Sequence, residues 1–182
     1  MMPHGSGLHV LPAPVGGNYD SDGMSRAVVQ SVLRGMRNKY AITIADCGPA
    51  NTEGTLAAMD FADIILVVVG NDLPRLRDAK QYLKSLVAGN YAKERIRVVV
   101  NRSGVGRVIS EKEVAVLLEF PLAAYLANDN ELVSGSVNMG QPFVVTAPNN
   151  SLSREVVKLA DALIPTVGAA AKKSKPFFGM FF

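Results

Sequence analysis

The run Ile64-Ile65-Leu66-Val67-Val68-Val69 constrains this chain more than any other stretch. It is wholly aliphatic and almost wholly β-branched, with no polar residue alternating through it. A strand of that composition is covered on both faces, as in parallel sheets sandwiched between helices. Two further runs repeat the arrangement. Ala41 to Ala45 ends on Asp46, with Gly48-Pro49 turning the chain, and Ile96 to Val100 ends on Asn101. Open α/β sheets meet their ligands at the carboxyl ends of their strands. Asp46 is therefore expected on a buried strand in the middle of a layered sheet, at its tip.

Helical patterns separate these strands. Ser25 to Tyr40 places Val29, Val32, Leu33, Met36 and Tyr40 on one face. Asn51 to Ala62 reads as a loop passing into a short helix. Asp72 is placed to cap a helix with Pro74 in its first turn and Leu76, Ala79, Leu83, Leu86 and Val87 inward. Ser110-Glu111-Lys112-Glu113 is a capping box opening a helix through Leu118. Pro121 to Leu126 suggests a short strand, Asp129 to Met139 a helix stopped by Gly140, and Phe143 to Thr146 a last edge strand. Ser153 is expected to cap a final helix carrying Val156, Val157, Ala160, Leu163 and Ile164. Leu8 to Leu11, closed by Pro12 and Pro14, reads as a strand entering a loop. Strand-helix alternation without an internal repeat predicts an α/β fold with a mostly parallel, doubly wound sheet.

Composition excludes several classes. With 182 residues and 48% hydrophobic content, the chain is suited to one domain with a real core. Its single cysteine, Cys47, rules out an intrachain disulfide and fits a reducing compartment. No apolar run approaches the roughly 20 residues of a membrane span, and the first residues lack signal-peptide character. A cytoplasmic protein is expected. The net charge of +3 is a weak argument for nucleic acid, and Arg26, Arg34, Arg37 and Lys39 make only a thin basic surface, so DNA is not an expected partner.

The chemistry centres on two strand ends. An acid at a strand tip with a glycine behind it, as in Asp46 and Gly48, can hold magnesium directly or through water. The same acid can simply cap the following turn. Asn101-Arg102 can offer an amide to a base edge and a guanidinium to a phosphate or ring, or can merely initiate a loop. No histidine stands near Cys47 in sequence to activate its thiol. His4 and His9 have no metal-ligand spacing with any acid or thiol cluster.

Taken in order, "AITIADCGPANTEGTLAAMDFADIILVVVGNDLPRLRDAKQYLKSL", "IRVVVNRSG" and "FPLAAYLANDNELVSGSVNMGQPFVV" resemble the later two-thirds of a ParA/MinD-type deviant P-loop ATPase. The opening "GLHVLPAP", the Asn101-Arg102 pair and Gly140-Gln141-Pro142 are closest in texture to the TadZ/CpaE branch. The similarity runs from about Gly7 to Ile164. It implies an incomplete P-loop NTPase fold of the SIMIBI type over residues 1–167, with residues 168–182 as a separate basic-aromatic tail. It also implies that Asp46 lies near magnesium and the attacking water, and that Cys47 to Gly54 is the switch segment. By the same resemblance Asn101 and Arg102 meet the adenine, and Asn128 and Asp129 belong to an element lying against the base, with Ala127 where proline is commoner.

One departure is decisive. No G-x-x-x-x-G-K-[ST] occurs in the chain, and the turn at Gly16-Gly17 leads to Asn18 rather than lysine. ATP and magnesium are therefore expected only if an upstream phosphate loop is supplied, and hydrolysis is not expected of this chain alone. The strand before that loop is central in the fold, so its loss leaves apolar neighbours unpaired. The expectation is a C-terminal piece of a larger protein. The other reading is a shortened form that closes its sheet differently or pairs with another chain.

The resemblance implies a factor that localises pilus-assembly (Flp/Tad secretion) machinery through protein partners at a cell pole or the inner membrane, with a homodimer among its options. The other reading is the later portion of an active partitioning or positioning ATPase. Lys172, Lys173 and Lys175, followed by Phe177, Phe178, Phe181 and Phe182, resemble the membrane anchors of MinD-like proteins. They imply a weak contact with anionic lipid, made as a wedge because Pro176 and Gly179 interrupt any helix.

Overall fold

A computed structural model of the chain describes residues 1–12, 25–48, 52–104 and 109–164, and the backbone of 177–181. The first two strands, β1 (Met2–Pro3) and β2 (His9–Val10), pair antiparallel as a small ribbon of their own. The expected strand at Leu8 to Leu11 thus forms in part, outside the main sheet. Then come α1 (Arg26–Lys39), β3 (Ile42–Asp46), α2 (Glu53–Phe61), β4 (Ile64–Gly70) and α3 (Leu73–Ala88). After a 3-10 turn at Lys93–Arg95 follow β5 (Ile96–Ser103), α4 (Glu111–Leu118), β6 (Leu122–Ala127), α5 (Asn130–Met139), α6 (Phe143–Thr146), α7 (Ser151–Leu163) and β7 (Phe177–Phe181).

The main sheet has the order β3-β7-β4-β5-β6, and every pairing in it is parallel. Its centre is the pair expected from sequence. Ile65 and Ile96 are fully buried, as are Val98 and Val100, and Ile65 to Gly70 run in register with Ile96 to Asn101. Burying each such side chain contributes about 1.5–3 kcal/mol.

One face of the sheet carries the main core. Leu33 of α1, Ala58 and Met59 of α2, Leu76, Leu83 and Leu86 of α3, and Val114 and Leu118 of α4 pack there against Ile65, Val67, Val69 and their β5 neighbours. The opposite face carries a smaller cluster, Leu66 and Val99 under Leu159 of α7. Local signals fix the helix ends. Asp72 accepts the Arg75 N–H at 3.0 Å. Ser110 and Glu113 make the reciprocal box, with the Ser110 N–H donating to Glu113 Oε2 at 2.8 Å. Arg95 donates to the Met59 carbonyl at 2.8 Å and to that of Ala62, closing the end of α2.

Four expectations are corrected. β3 is the edge strand, not a buried central one: its residues alternate between exposed and half-buried, and Ile44 is 60% exposed. Asp46 therefore stands at the rim of the sheet. Phe143 to Thr146 is a helical turn, not an edge strand, because Pro142 starts it and the Ala147 N–H closes it onto the Phe143 carbonyl at 2.8 Å. The cap of α7 is Asn150, which accepts the Leu152 N–H at 2.8 Å, while Ser153 is buried in the first turn with its hydroxyl near the Phe143 carbonyl. Last, Phe177–Phe181 enters the sheet as β7, between β3 and β4, rather than hanging outside the domain. The gap left between two apolar parallel strands carries unpaired backbone groups, and an aromatic-rich strand satisfies them.

Candidate functional site

The strand tips form one rim. In register, Gly70 of β4 lies beside Asn101 of β5, and Ser103 lies beside Ala127 of β6. The Asn128 N–H donates to the Ser103 carbonyl at 3.0 Å, so β5 and the residues after β6 stay joined past the sheet proper. Asn101, Arg102, Asn128 and Asp129 are brought together here. Asp46 is not part of that group. It is separated from Asn101 by β7 and β4, three inter-strand steps or roughly 14 Å at about 4.8 Å each. A ligand touching both would have to be an extended one.

At the isolated end, Asp46 is exposed, and its Oδ1 accepts the Gly48 N–H at 3.4 Å. Gly48 turns the chain at φ +59, a conformation that disfavours other residues. Thr55 reaches back from α2 to the Cys47 carbonyl at 3.2 Å, and Thr52 caps that helix. The loop after Asp46 is thus tied at both ends, with residues 49–51 of the expected switch segment outside the described residues. Burial, and then the adjacent Asp46 carboxylate, push the Cys47 thiol up to about 11. A nucleophile would need the reverse shift.

At the grouped end, the Asn101 Oδ1 accepts the Arg102 N–H at 2.9 Å. Arg102 is exposed and adopts φ 56, a left-handed conformation that costs on the order of 1 kcal/mol for a side chain of its size. Asp129 is engaged on both oxygens: Oδ1 accepts the Leu132 N–H at 3.0 Å as the cap of α5, and Oδ2 accepts from Asn150 Nδ2 at 3.0 Å. Its carboxylate binds α5 to the start of α7.

Sequence reasoning did not single out the side chains that brace this rim. Asn71, 5% exposed, donates from Nδ2 to the Tyr125 hydroxyl at 2.5 Å and to the Ile109 carbonyl at 3.2 Å. The Tyr125 hydroxyl donates to the same carbonyl. The Asn71 Oδ1 is buried with no hydrogen-bond partner among the described residues. Glu155 of α7 accepts the Ala127 N–H at 2.8 Å. The only advance signal was position: Asn71 follows β4 directly, as Asp46 and Asn101 follow or end theirs.

Among the described residues no three His, Cys, Asp or Glu side chains gather to hold a metal ion. Among those residues the strand tips carry the Asp46 carboxylate, the Asn101 and Asn128 amides and the Arg102 guanidinium, with the Asp129 carboxylate already engaged on both oxygens. A cavity of about 200 Å³ does exist, but it is lined by Met1, Leu11 and residues of α1 with Tyr40, and none of these is on a strand tip. The basic residues of α1 make contacts of their own, with Lys39 Nζ over the Tyr40 ring at 5.6 Å. Arg26 pairs with Asp60, Arg37 with Asp63 at 3.1 Å, and Arg34 lies over the Phe61 ring at 5.6 Å.

Comparison with known proteins agrees with this architecture. No protein-family model matches the chain. An uncharacterized ATP-binding protein of Methanocaldococcus jannaschii is 25% identical over 81% of the chain and 55% of its own length. The septum site-determining protein MinD of Synechocystis is 27% identical over 76% of the chain and 52% of its own length. The chain therefore spans about half the length of the curated relatives it matches. The crystal structure of a ParA family ATPase from Chlorobium tepidum superposes with a TM-score of 0.69 at 23% identity, over 75% of this chain and 57% of that one. No helix among the described residues is long and apolar enough to cross a membrane. In both sequence and fold, the chain is similar to the ParA/MinD-type P-loop ATPase superfamily.

Proposed function

We propose that the chain is an ATPase-related positioning factor of the TadZ/CpaE kind, acting through protein partners in pilus assembly and not hydrolysing ATP by itself. The observation that carries this reading is the division of the rim. The group of Asn101, Arg102 and Asn128 is assembled and braced on β5 and β6, while Asp46 stands apart from it at the exposed edge strand. In this reading Asn101 and Arg102 face a base or an equivalent flat polar group, Asp129 holds α5 in place, and Asp46 is one wall of an incomplete pocket.

The curated relatives favour a second reading, in which the chain is the later portion of an active positioning ATPase. Their likeness covers most of this chain but about half of their own length. The two readings separate on the residues encoded upstream of Met1 in the same frame, where an intact phosphate loop favours the second; the first reading's lack of hydrolysis is tested in one assay. Purified chain is mixed with ATP and magnesium, and phosphate release is compared with that of Asp46→Ala. The first reading expects no turnover above the variant. Turnover that Asp46→Ala abolishes would overturn it. A fluorescent fusion supplies the cellular half: the proposal expects a polar focus in a piliated cell, and uniform fluorescence counts against it.

In either reading the tail lysines, Lys172, Lys173 and Lys175, lie outside the described residues and offer a weak, salt-sensitive attraction to anionic lipid. With Phe177–Phe181 in the sheet, that attraction is electrostatic and peripheral.

A further inference from the structure

The gap between β3 and β4 is filled from the far end of the chain. β7 pairs with β3 along its full length, from Ile42 against Phe177 to Asp46 against Phe181. It pairs with β4 only from Ile64 to Leu66. Val67 to Gly70 continue beyond it and are held from their other side by β5. Among the described residues β7 is the only strand linking β3 to the rest of the sheet.

Chain length does not dictate which copy supplies that strand. The element before it, α7, packs on β6, and β6 lies three strand steps from the gap, roughly 14 Å. Residues 164–176 connect the two, and fully extended they reach roughly 45 Å. The reach exceeds the requirement about threefold, so the same connector can serve a neighbouring molecule.

We propose that the β3–β4 gap is a strand-acceptor site, and that the occupant exchanging with Phe177–Phe181 is the same strand of a second copy of this chain. Every backbone hydrogen bond made within one copy is remade between two, the condition under which identical elements swap between protomers. The balance is set by concentration. Because the connector links the strand to its own copy covalently, single chains prevail when dilute and swapped pairs form when copies fold together or crowd. This inference rests on backbone pairing alone and is independent of any nucleotide.

Register supplies the test. Ile44 and Gly179 are partners across β3 and β7, and parallel neighbours lie within the Cα separation a disulfide requires. In a Cys47→Ser background, Ile44→Cys and Gly179→Cys are made singly and together. The two single variants are unfolded, mixed, refolded and oxidised, then analysed by non-reducing electrophoresis and mass spectrometry. The expected result is a covalent heterodimer joining position 44 of one copy to position 179 of the other, well above the dimer each single variant forms alone. If the double variant closes within one chain while the mixture gives no heterodimer, the strand serves only its own copy and the proposal fails. If neither cross-link forms, the strand does not occupy the gap, and the proposal fails at its first step.

Discussion

The tie among Asn71, Tyr125 and Ile109 makes a quantitative prediction. Two donors, Asn71 Nδ2 and the Tyr125 hydroxyl, converge on one acceptor, the Ile109 carbonyl. Tyr125→Phe leaves that carbonyl bonded to Asn71 but removes both the bond its hydroxyl donates to Ile109 and the one it accepts from Asn71, an expected cost of about 2 kcal/mol. Asn71→Ala leaves the carbonyl bonded to Tyr125 and also removes the buried Oδ1 that has no partner. That relief offsets part of the loss, so this variant is expected to cost about 1 kcal/mol. The double variant strips both donors, and a sealed carbonyl without a donor costs a further 1–3 kcal/mol or so. The double variant loses three hydrogen bonds where the two single variants together count four, so the pair should lose roughly 3–5 kcal/mol in total, a coupling centred on about 1 kcal/mol and beyond the additivity of independent sites. Urea unfolding at constant slope measures it, and each kilocalorie corresponds to about 2–4 °C in Tm for a chain of this size. Additive losses within about 0.5 kcal/mol would refute the reasoning. They would show that water replaces the lost donors, and that the brace behind the rim is open.

Two other outcomes are expected. With its thiol pushed up to about 11 from 9.0, Cys47 carries roughly a hundredfold less thiolate than an ordinary cysteine near pH 8. Alkylation of the folded chain should be correspondingly slow. Because the unfolded thiol ionises first, stability should also fall as pH rises from about 9 to about 11, and Cys47→Ser should remove that component. Alkylation at the rate of a small free thiol would contradict the burial that raises it. Replacing Lys172, Lys173 and Lys175 together by alanine should lower co-sedimentation with anionic vesicles while leaving the Tm unchanged. Equal sedimentation of both forms would remove the lipid reading.

The sequence carried the local parts of this structure and little of the long-range part. β4 and β5 were legible because unbroken β-branched runs permit few other structures, and the caps at Asp72 and Ser110 because each is made within one helical turn. Phe143 to Thr146 was misread because a four-residue apolar run has no period to distinguish strand from helix. Ile44 looked like core because composition does not show that its side of β3 lacks a helix. The place of β7 depends on neighbours far away in sequence, and locally Pro176 and Gly179 argued only against a helix. Of the candidate site, the strand-end residues were legible as a set. Their division into an assembled group and a lone Asp46 was not, since it depends on strand order, and the Asn71–Tyr125 tie joins residues from separate elements.

The pairing of Ile42 with Phe177 also sets an order of events during synthesis. β4, β5 and β6 with α3 and α4 lie close together along the chain and can assemble while translation proceeds, whereas contacts of long sequence separation form late. Among the described residues β3 has no sheet partner until Phe177–Phe181 has left the ribosome, so the edge of Ile42 to Asp46 stays unpaired through most of the nascent chain's growth. A ribosome stalled before that strand would display a nearly complete fold with one unmatched edge, which is the substrate a nascent-chain chaperone recognises.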